Sequence, residues 1–581
     1  MEKINSRLGT GLLMWFGMGL FLLTSCKSGG EQHTTPPIAA PENTAEVEDT
    51  IDAPLWEPYN DSAEVAANQN HNIARMRYKL IQSKGLDKNS VFEPLYSEVL
   101  KMTPADYERL KPFIIEQDIP TIQAHIADKK LNYETLVRFF LYRIYTFEIP
   151  NVTTLNTVIA LNPNCIEQAK LRDKEVATSA QHPIFGMPIL LKDNIGTAAM
   201  NTTAGAIALK ENITDDAFVV RRLKENGAII LGKVNLSEWA YFFCSGCPVG
   251  YSAVGGQTLN PYGRRKFETG GSSSGSGTAV AANYAVAAVG TETSGSILSP
   301  SGQNSVVGLK PTVGLLSRTG IVPISSTLDT PGPMTKNVID NGIVLDAMRG
   351  FDEDDDESVR ADWEARWYQP GTDVTLKGKR FGVFKSLVAQ HEEYTYTLDR
   401  IREAGGVVIE MDAEAPEMDG FISILNLDMK TDLPNYLSTQ VKNKDRVRVR
   451  SVEDVLAFNK KDSLIRMPYG QAILDGILKD ETSAEELKII KKRLQTITRE
   501  FFNAMMTKHR LDAVLSINNY HASVAAAAKF PALIVPMGYK PNGEPIGLTF
   551  IAKQYQEGKL YALGTAFEKH TQSRKLPKGY Q

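Results

Sequence analysis

The stretch richest in reactive side chains is Glu268-Thr-Gly-Gly-Ser272-Ser-Ser-Gly-Ser-Gly-Thr-Ala-Val-Ala-Ala-Asn283, which runs on to Gly290-Thr-Glu-Thr-Ser-Gly-Ser296-Ile. Glycines let backbone N–H groups approach a ligand, or adopt angles that a Cβ forbids. Serine hydroxyls set among them are candidate nucleophiles, weak until a base removes their proton. The small apolar run Thr278 to Val289 predicts a helix buried inside a domain. Two serine-bearing glycine turns then flank that helix and present two hydroxyls on one side of a sheet. Upstream, Pro188-Ile189-Leu190-Leu191-Lys192 reads as a short buried strand that ends on a lysine.

Other stretches invite chemistry and fail on detail. Gly271-Ser-Ser273-Ser-Gly275 fits the Gly-x-Ser-x-Gly elbow, which needs a downstream acid and histidine; His391, His509 and His521 stand in no recognisable context for that role. Gly227 to Lys233 spells Gly-x-x-x-x-Gly-Lys, but Val234 replaces the Ser/Thr that binds Mg²⁺, so a helix stop before a strand is expected. Cys244-Ser-Gly-Cys247 lacks the further ligands of a zinc site. Two reduced, partly buried thiols are expected there; the alternative is oxidation to a disulfide-locked or redox loop near the substrate mouth. Asp352 to Glu357, six acids in a row, lacks the spacing and glycine of a calcium loop and is expected to be a solvated loop. No metal ligand cluster or cofactor motif emerges.

The elements that must hold these residues alternate in type. After Pro183, Pro188 to Lys192 is a strand, Asp215 to Asn226 a helix stopped by Gly227, and Ala228 to Leu231 a strand. Gly382 to Phe384, a helix around Thr397 to Ala404, and Val407 to Met411 repeat that texture. Leu533 to Pro536, Asn542-Gly543 and Ile546 to Ile551 predict a hairpin, followed by a last helix with Leu560, Leu563 and Phe567 inward. The alternation predicts an α/β fold with a sheet between helices. Earlier, Ile73, Met76 and Leu80 repeat at helical spacing, and Asn132 is placed to cap a helix carrying Leu136, Phe140, Ile144 and Phe147. Ser483-Ala-Glu-Glu486 forms a capping box ahead of Leu487, Ile490, Leu494, Ile497 and Phe501, a core-facing helix.

Composition sets the outer bounds. Of 581 residues, 42% are hydrophobic and 44 are glycine, which excludes disorder as the whole answer. Lys+Arg 64 against Asp+Glu 68 gives a net charge of −4, so no nucleic-acid partner is expected. Four cysteines exclude a disulfide scaffold. Lys3 and Arg7 precede the short apolar run Leu12 to Leu23, the layout of a signal peptide. The run ends in Leu23-Thr24-Ser25-Cys26, which resembles a bacterial lipoprotein lipobox and implies cleavage before Cys26 and lipidation there. The reading is a lipoprotein signal peptide over 1–25, a Pro-rich flexible tether over 26–60, a helical extension over 61–113 and a catalytic domain over 114–575. The expected location is the bacterial cell envelope, periplasmic or surface-facing, with membrane contact through the lipid anchor only.

Over roughly residues 115–575 the chain resembles the amidase signature family of Ser–cis-Ser–Lys hydrolases. The motifs are Lys192-Asp193-Asn194, Gly270-Gly271-Ser272-Ser273-Ser274-Gly275-Ser276 and Ser294-Gly295-Ser296-Ile297, with Ser272 and Ser296 spaced as the family spaces its two catalytic serines. Within the family it is most similar to bacterial peptide amidases, through Val254-Gly-Gly-Gln-Thr-Leu-Asn-Pro-Tyr262, Gly290-Thr-Glu-Thr293 and Thr327-Leu-Asp-Thr-Pro-Gly-Pro333. The resemblance implies a mixed central β-sheet surrounded by helices. It implies Ser296 as nucleophile, Ser272 as the bridge after a cis Gly271–Ser272 bond, and Lys192, neutral through burial, as base. The amides of Thr293, Ser294, Gly295 and Ser296 become the oxyanion hole, with Gly271 and Ser273 in support. The implied reaction is hydrolysis of a carboxamide in a small amide or amidated peptide, without a cofactor. Glu292, Ser294 and Leu298 depart from the family pattern: Glu292 and Leu298 are expected to alter the pocket wall, and Ser294 to bulk the oxyanion loop slightly. An inactive binding protein on the same fold, an aryl or fatty amide or ester hydrolase, and a glutamine-dependent amidotransferase subunit are the alternatives; the signal sequence speaks against the last.

Overall fold

The computed structural model describes residues 54–175, 181–360 and 374–581. The lipobox, Cys26 and most of the tether lie outside the described residues. In chain order the strands are β1 (Val158–Leu161), β2 (Pro188–Lys192), β3 (Ile229–Val234), β4 (Tyr251–Ser252), β5 (Gly256–Gln257), β6 (Ala287–Glu292), β7 (Val307–Lys310), β8 (Thr330–Thr335), β9 (Arg380–Phe384), β10 (Val407–Met411), β11 (Ala513–Ile517), β12 (Ala532–Tyr539) and β13 (Pro545–Ile551). Eleven of them form one mixed sheet, β1-β3-β2-β6-β8-β7-β12-β13-β11-β9-β10, while β4 and β5 pair alone. Helices surround that sheet, as the family resemblance implies.

The end of the sheet that carries the candidate site residues is built on β3, β2 and β6, which run parallel. Every residue of the three is buried, which is why they read as continuous apolar or small-residue runs rather than alternating ones. Parallel pairing brings their carboxyl ends together, so Lys192 at the end of β2 and Thr291-Glu292 at the end of β6 face the same space.

The run Thr278 to Val289 is not one helix. The helix spans Ser274–Ala281 and all eight of its residues are buried. Asn283, at φ 57°, turns the chain, and Ala287 onward joins the sheet as β6. A run of small residues lets the helix approach the sheet closely: a Cβ on Gly275 would lie 2.4 Å from the Asn235 carbonyl oxygen.

Other expectations meet the structure at the level of single caps. Asn132 accepts from the Thr135 amide and starts the helix Tyr133–Glu148. Ser483 and Glu486 form the reciprocal capping box of Ala484–His509. The hairpin is β12 and β13 in antiparallel register. Ile73, Met76 and Leu80, by contrast, do not share a helix; only a 3-10 turn over Ala74–Met76 forms, with Met76 buried and Ile73 exposed. Side chains of the 61–113 segment, including Phe92 and Leu95, join the same core as the sheet.

A second apolar core lies among helices: Phe421–Thr439 and Val452–Lys460 contribute Ile424, Met429 and Val455, and Ala484–His509 contributes Leu494. Trp239, Phe243, Cys244 and Cys247 pack into it. The two cysteines form a disulfide, not the expected pair of free thiols. The turn holds their Cα atoms 5.8 Å apart, within bridging range. No helix among the described residues is long and apolar enough to cross a membrane.

Candidate active site

Lys192 is fully buried at the end of β2. Its Nζ lies 2.7 Å from Ser272 Oγ, 2.8 Å from Thr291 Oγ1 and 3.1 Å from the Thr291 carbonyl oxygen. Burial pushes the lysine down from its ordinary 10.5 to about 7, against the charges of Asp329 and Glu292, which pull it up. Protonated, Nζ donates to all three oxygens. Neutral, it turns its lone pair to the Ser272 hydroxyl and keeps two N–H groups for Thr291. Asn194 Nδ2 also donates to Thr291 Oγ1, at 3.0 Å, so this threonine is the hub on which the lysine is oriented.

Ser272 follows a cis Gly271–Ser272 peptide bond, as the resemblance implies. Its carbonyl accepts from the Ser237 amide at 3.0 Å. Ser273 ties the two glycine turns together. Its Oγ donates to the Thr291 carbonyl at 3.0 Å and accepts from the Thr291 amide at 3.2 Å. Its amide donates to the Ser296 carbonyl at 3.1 Å. Ser272 and Ser296 are both buried, the latter at 8% exposure. Lys192 and Ser272 are thus in contact, whereas the Ser296 hydroxyl forms no hydrogen bond to Ser272 in this structure. Catalytic hydrogen bonds are commonly looser without substrate and tighten in the reacting complex.

The turn Thr293 to Ser296 leaves β6 with Gly295 at φ 89°, the left-handed region where a side chain is strained. A Cβ there would also meet Asn519 Nδ2 at 2.8 Å. Among the described residues, the amides of Ser294, Gly295 and Ser296 donate to no protein acceptor. They are therefore available to an oxyanion. Glu292 and Leu298 do not line a pocket, contrary to expectation: they are 0% and 1% exposed. Glu292 instead pins the far side of the turn, accepting from the amides of Ile297 at 2.7 Å and Leu298 at 3.0 Å.

A cavity of about 1060 Å³ opens beside the turn, lined by Asn194, Thr291, Thr293, Asp329, Tyr436 and Lys491 among others. The acidic run forms part of its wall and is only half solvated. Asp355 is buried against Arg318, and buried Asp352 accepts from Ser317 Oγ, while Asp354 and Asp356 stay exposed. Thr291, Ser237 and Asp329 carry no role in the sequence reading. All three lie inside or near the quoted motifs, but their partners sit in segments far along the chain.

The amidase family pattern matches residues 135–561, most of the chain. The chain belongs to the amidase family. This amidase is an enzyme that hydrolyses amide C–N bonds. It is 36% identical over 483 residues to a probable amidase of Arabidopsis thaliana, covering 80% of this chain and 92% of the relative. Among solved structures it resembles an amidase family protein from Bacillus anthracis, with TM-score 0.81, 37% identity, and coverage of 86% of this chain and 100% of the other. It also resembles the peptide amidase of Stenotrophomonas maltophilia, with TM-score 0.74, 36% identity, and coverage of 80% and 98%.

Proposed function

We propose that this amidase releases ammonia from the carboxamide end of amidated peptides through an acyl-serine intermediate on Ser296. The observation that carries the reading is the Lys192–Ser272 contact in a buried site whose lysine is held near 7, next to a turn with unengaged amides. Neutral Lys192 takes the Ser272 proton as Ser272 takes that of Ser296. The Ser296 oxygen attacks the carboxamide carbon, and the oxygen anion that forms is received by the turn amides; each such donor is worth roughly 3 kcal/mol. The proton returns through Ser272 to the leaving nitrogen, the C–N bond breaks, and water attacks the acyl-serine by the same route in reverse. The likeness to the Stenotrophomonas maltophilia peptide amidase, and a cavity large enough for several residues, support a peptide carboxamide as substrate.

We read the enzyme as lipid-anchored through Cys26 in the bacterial envelope, since the Leu23-Thr24-Ser25-Cys26 run supports that location. The deciding experiment for the chemistry is ammonia release from a panel of amidated peptides and simple amides, with Ser296→Ala as control. Peptide amides are expected to be turned over fastest, and the Ser296→Ala protein, still folded by circular dichroism, to release none. Near-normal rates in Ser296→Ala would sink the nucleophile assignment.

A further inference from the structure

Asp329 lies on the cavity wall, just before β8, and is joined to the catalytic turn through a side chain. Thr293 Oγ1 donates to Asp329 Oδ1 at 2.5 Å. Asp329 Oδ2 accepts from the amides of Ile324 at 2.8 Å and Ser325 at 2.9 Å. The same loop then reaches the helical wall. Ser325 Oγ donates to Asp428 and the Ser326 amide to Asp432, both on the helix Phe421–Thr439, and Lys491 pairs with Asp428 at 2.6 Å. A continuous polar chain therefore runs from the oxyanion turn to the wall of the substrate cavity.

We propose that Asp329 is a positioning residue of the hydrolysis: its carboxylate fixes the Ser296 turn through Thr293 and holds a negative charge next to the Lys192 relay. The proposal rests on the acyl-transfer reading of Ser296. Three accepted hydrogen bonds are the signature of a carboxylate kept ionised at the cost of desolvation. Desolvation in the cavity wall pushes Asp329 up to about 6, opposed by the Thr293, Ser325 and Ile324 bonds and by the charge of Arg318. With Asp329 at about 6 and Lys192 at about 7, the carboxylate is mostly charged where Lys192 is half deprotonated. The charged groups that act on Asp329 and Lys192 are Arg318 for the first, Asp329 and Glu292 for the second. Arg318 is itself paired with Asp355, and Glu292 accepts from the Ile297 and Leu298 amides through Oε2. Asp329 is the one of the two acids near Lys192 that borders the cavity and grips Thr293.

A bare loop cap predicts something different from a positioning charge. In Asp329→Asn the side-chain oxygen still receives the Ile324 and Ser325 amides, and the Nδ2 group donates to Thr293 Oγ1. The loop survives; the charge does not. Removing a neighbouring anion favours the neutral lysine, so the rising limb of kcat/KM against pH should move to lower pH by about one unit. At the plateau kcat should fall by up to about tenfold, because a lysine about one unit less basic takes the serine proton less readily, with little change in KM. Thr293→Val cuts the link to the turn and leaves the Asp329 loop bonds intact. It should lose kcat to a similar extent with its limb unmoved. Asp329→Asn with an unshifted limb, or Thr293→Val with wild-type kcat, would overturn the proposal. If Asp329→Asn fails to fold, Thr293→Val alone still reads the clamp. An active Ser296→Ala, by contrast, would overturn the acyl-serine reading itself.

Discussion

Lys192→Met should make the protein inactive and, in acid, more stable. Lysine in an unfolded chain titrates near 10.5, whereas here burial holds it near 7. Between those values the unfolded chain binds a proton that the native state lacks, so on this account native stability falls as pH drops from 10.5 towards 7 and is flat below. At about 1.4 kcal/mol per pKa unit, the cost is roughly 5 kcal/mol at pH 6 and roughly 2 kcal/mol at pH 9. Methionine is of similar length and cannot ionise, so it carries none of this. It forfeits the three bonds to Ser272 Oγ, Thr291 Oγ1 and the Thr291 carbonyl, about 1 kcal/mol each, but that loss is the same at both pH values. The substitution should therefore stabilise the protein by roughly 2 kcal/mol at pH 6 and destabilise it by roughly 1 kcal/mol at pH 9, a change of roughly 3 kcal/mol between the two. Urea unfolding followed by tryptophan fluorescence at the two pH values, for wild type and variant, measures it. A gap that is independent of pH, or that widens in alkali, would refute a neutral native Lys192.

Activity of the wild-type enzyme should rise through pH 7 to an alkaline plateau, because the base works only after losing its proton; a rate that falls over pH 7–9 contradicts this. Gly295→Ala should lower kcat at least tenfold while the chain still folds, since a Cβ strains φ 89° and presses on Asn519, displacing the amides proposed to receive the oxyanion. Cys26→Ser should abolish lipid attachment with no change in specific activity in detergent; identical lipid mass on the variant by mass spectrometry would contradict the lipobox reading.

What could be read from the chain alone was whatever short-range pattern determines. Lys192, Ser272 and Ser296 sit in motifs a few residues long, and the caps at Asn132 and Ser483 depend on neighbours three residues away. The run Thr278 to Val289 was misread because small residues suit a buried helix and a buried strand equally, and only the left-handed turn at Asn283 separates them. Ile73, Met76 and Leu80 matched a helical period that tertiary packing does not use. The Thr293–Asp329 link joins positions 36 residues apart, and the Glu292 contacts belong to a turn whose path is not written in its composition. The Cys244–Cys247 bridge likewise depends on the shape of its loop.

Lys192 ends β2, and Ser272 and Ser296 stand in the turns before the helix Ser274–Ala281 and after β6, while much of the cavity wall comes from the 318–330 loop and the helices Phe421–Thr439 and Ala484–His509. On the acyl-serine reading proposed above, bond breaking and substrate choice are drawn from separate stretches of chain. Such a division makes the enzyme retargetable: replacing helical wall segments around an unaltered sheet would explore new substrates without rebuilding the relay. The same division implies that diversification within such a scaffold can proceed by drift in the wall, with Ser325 and its aspartate contacts as the seam any grafted segment must match.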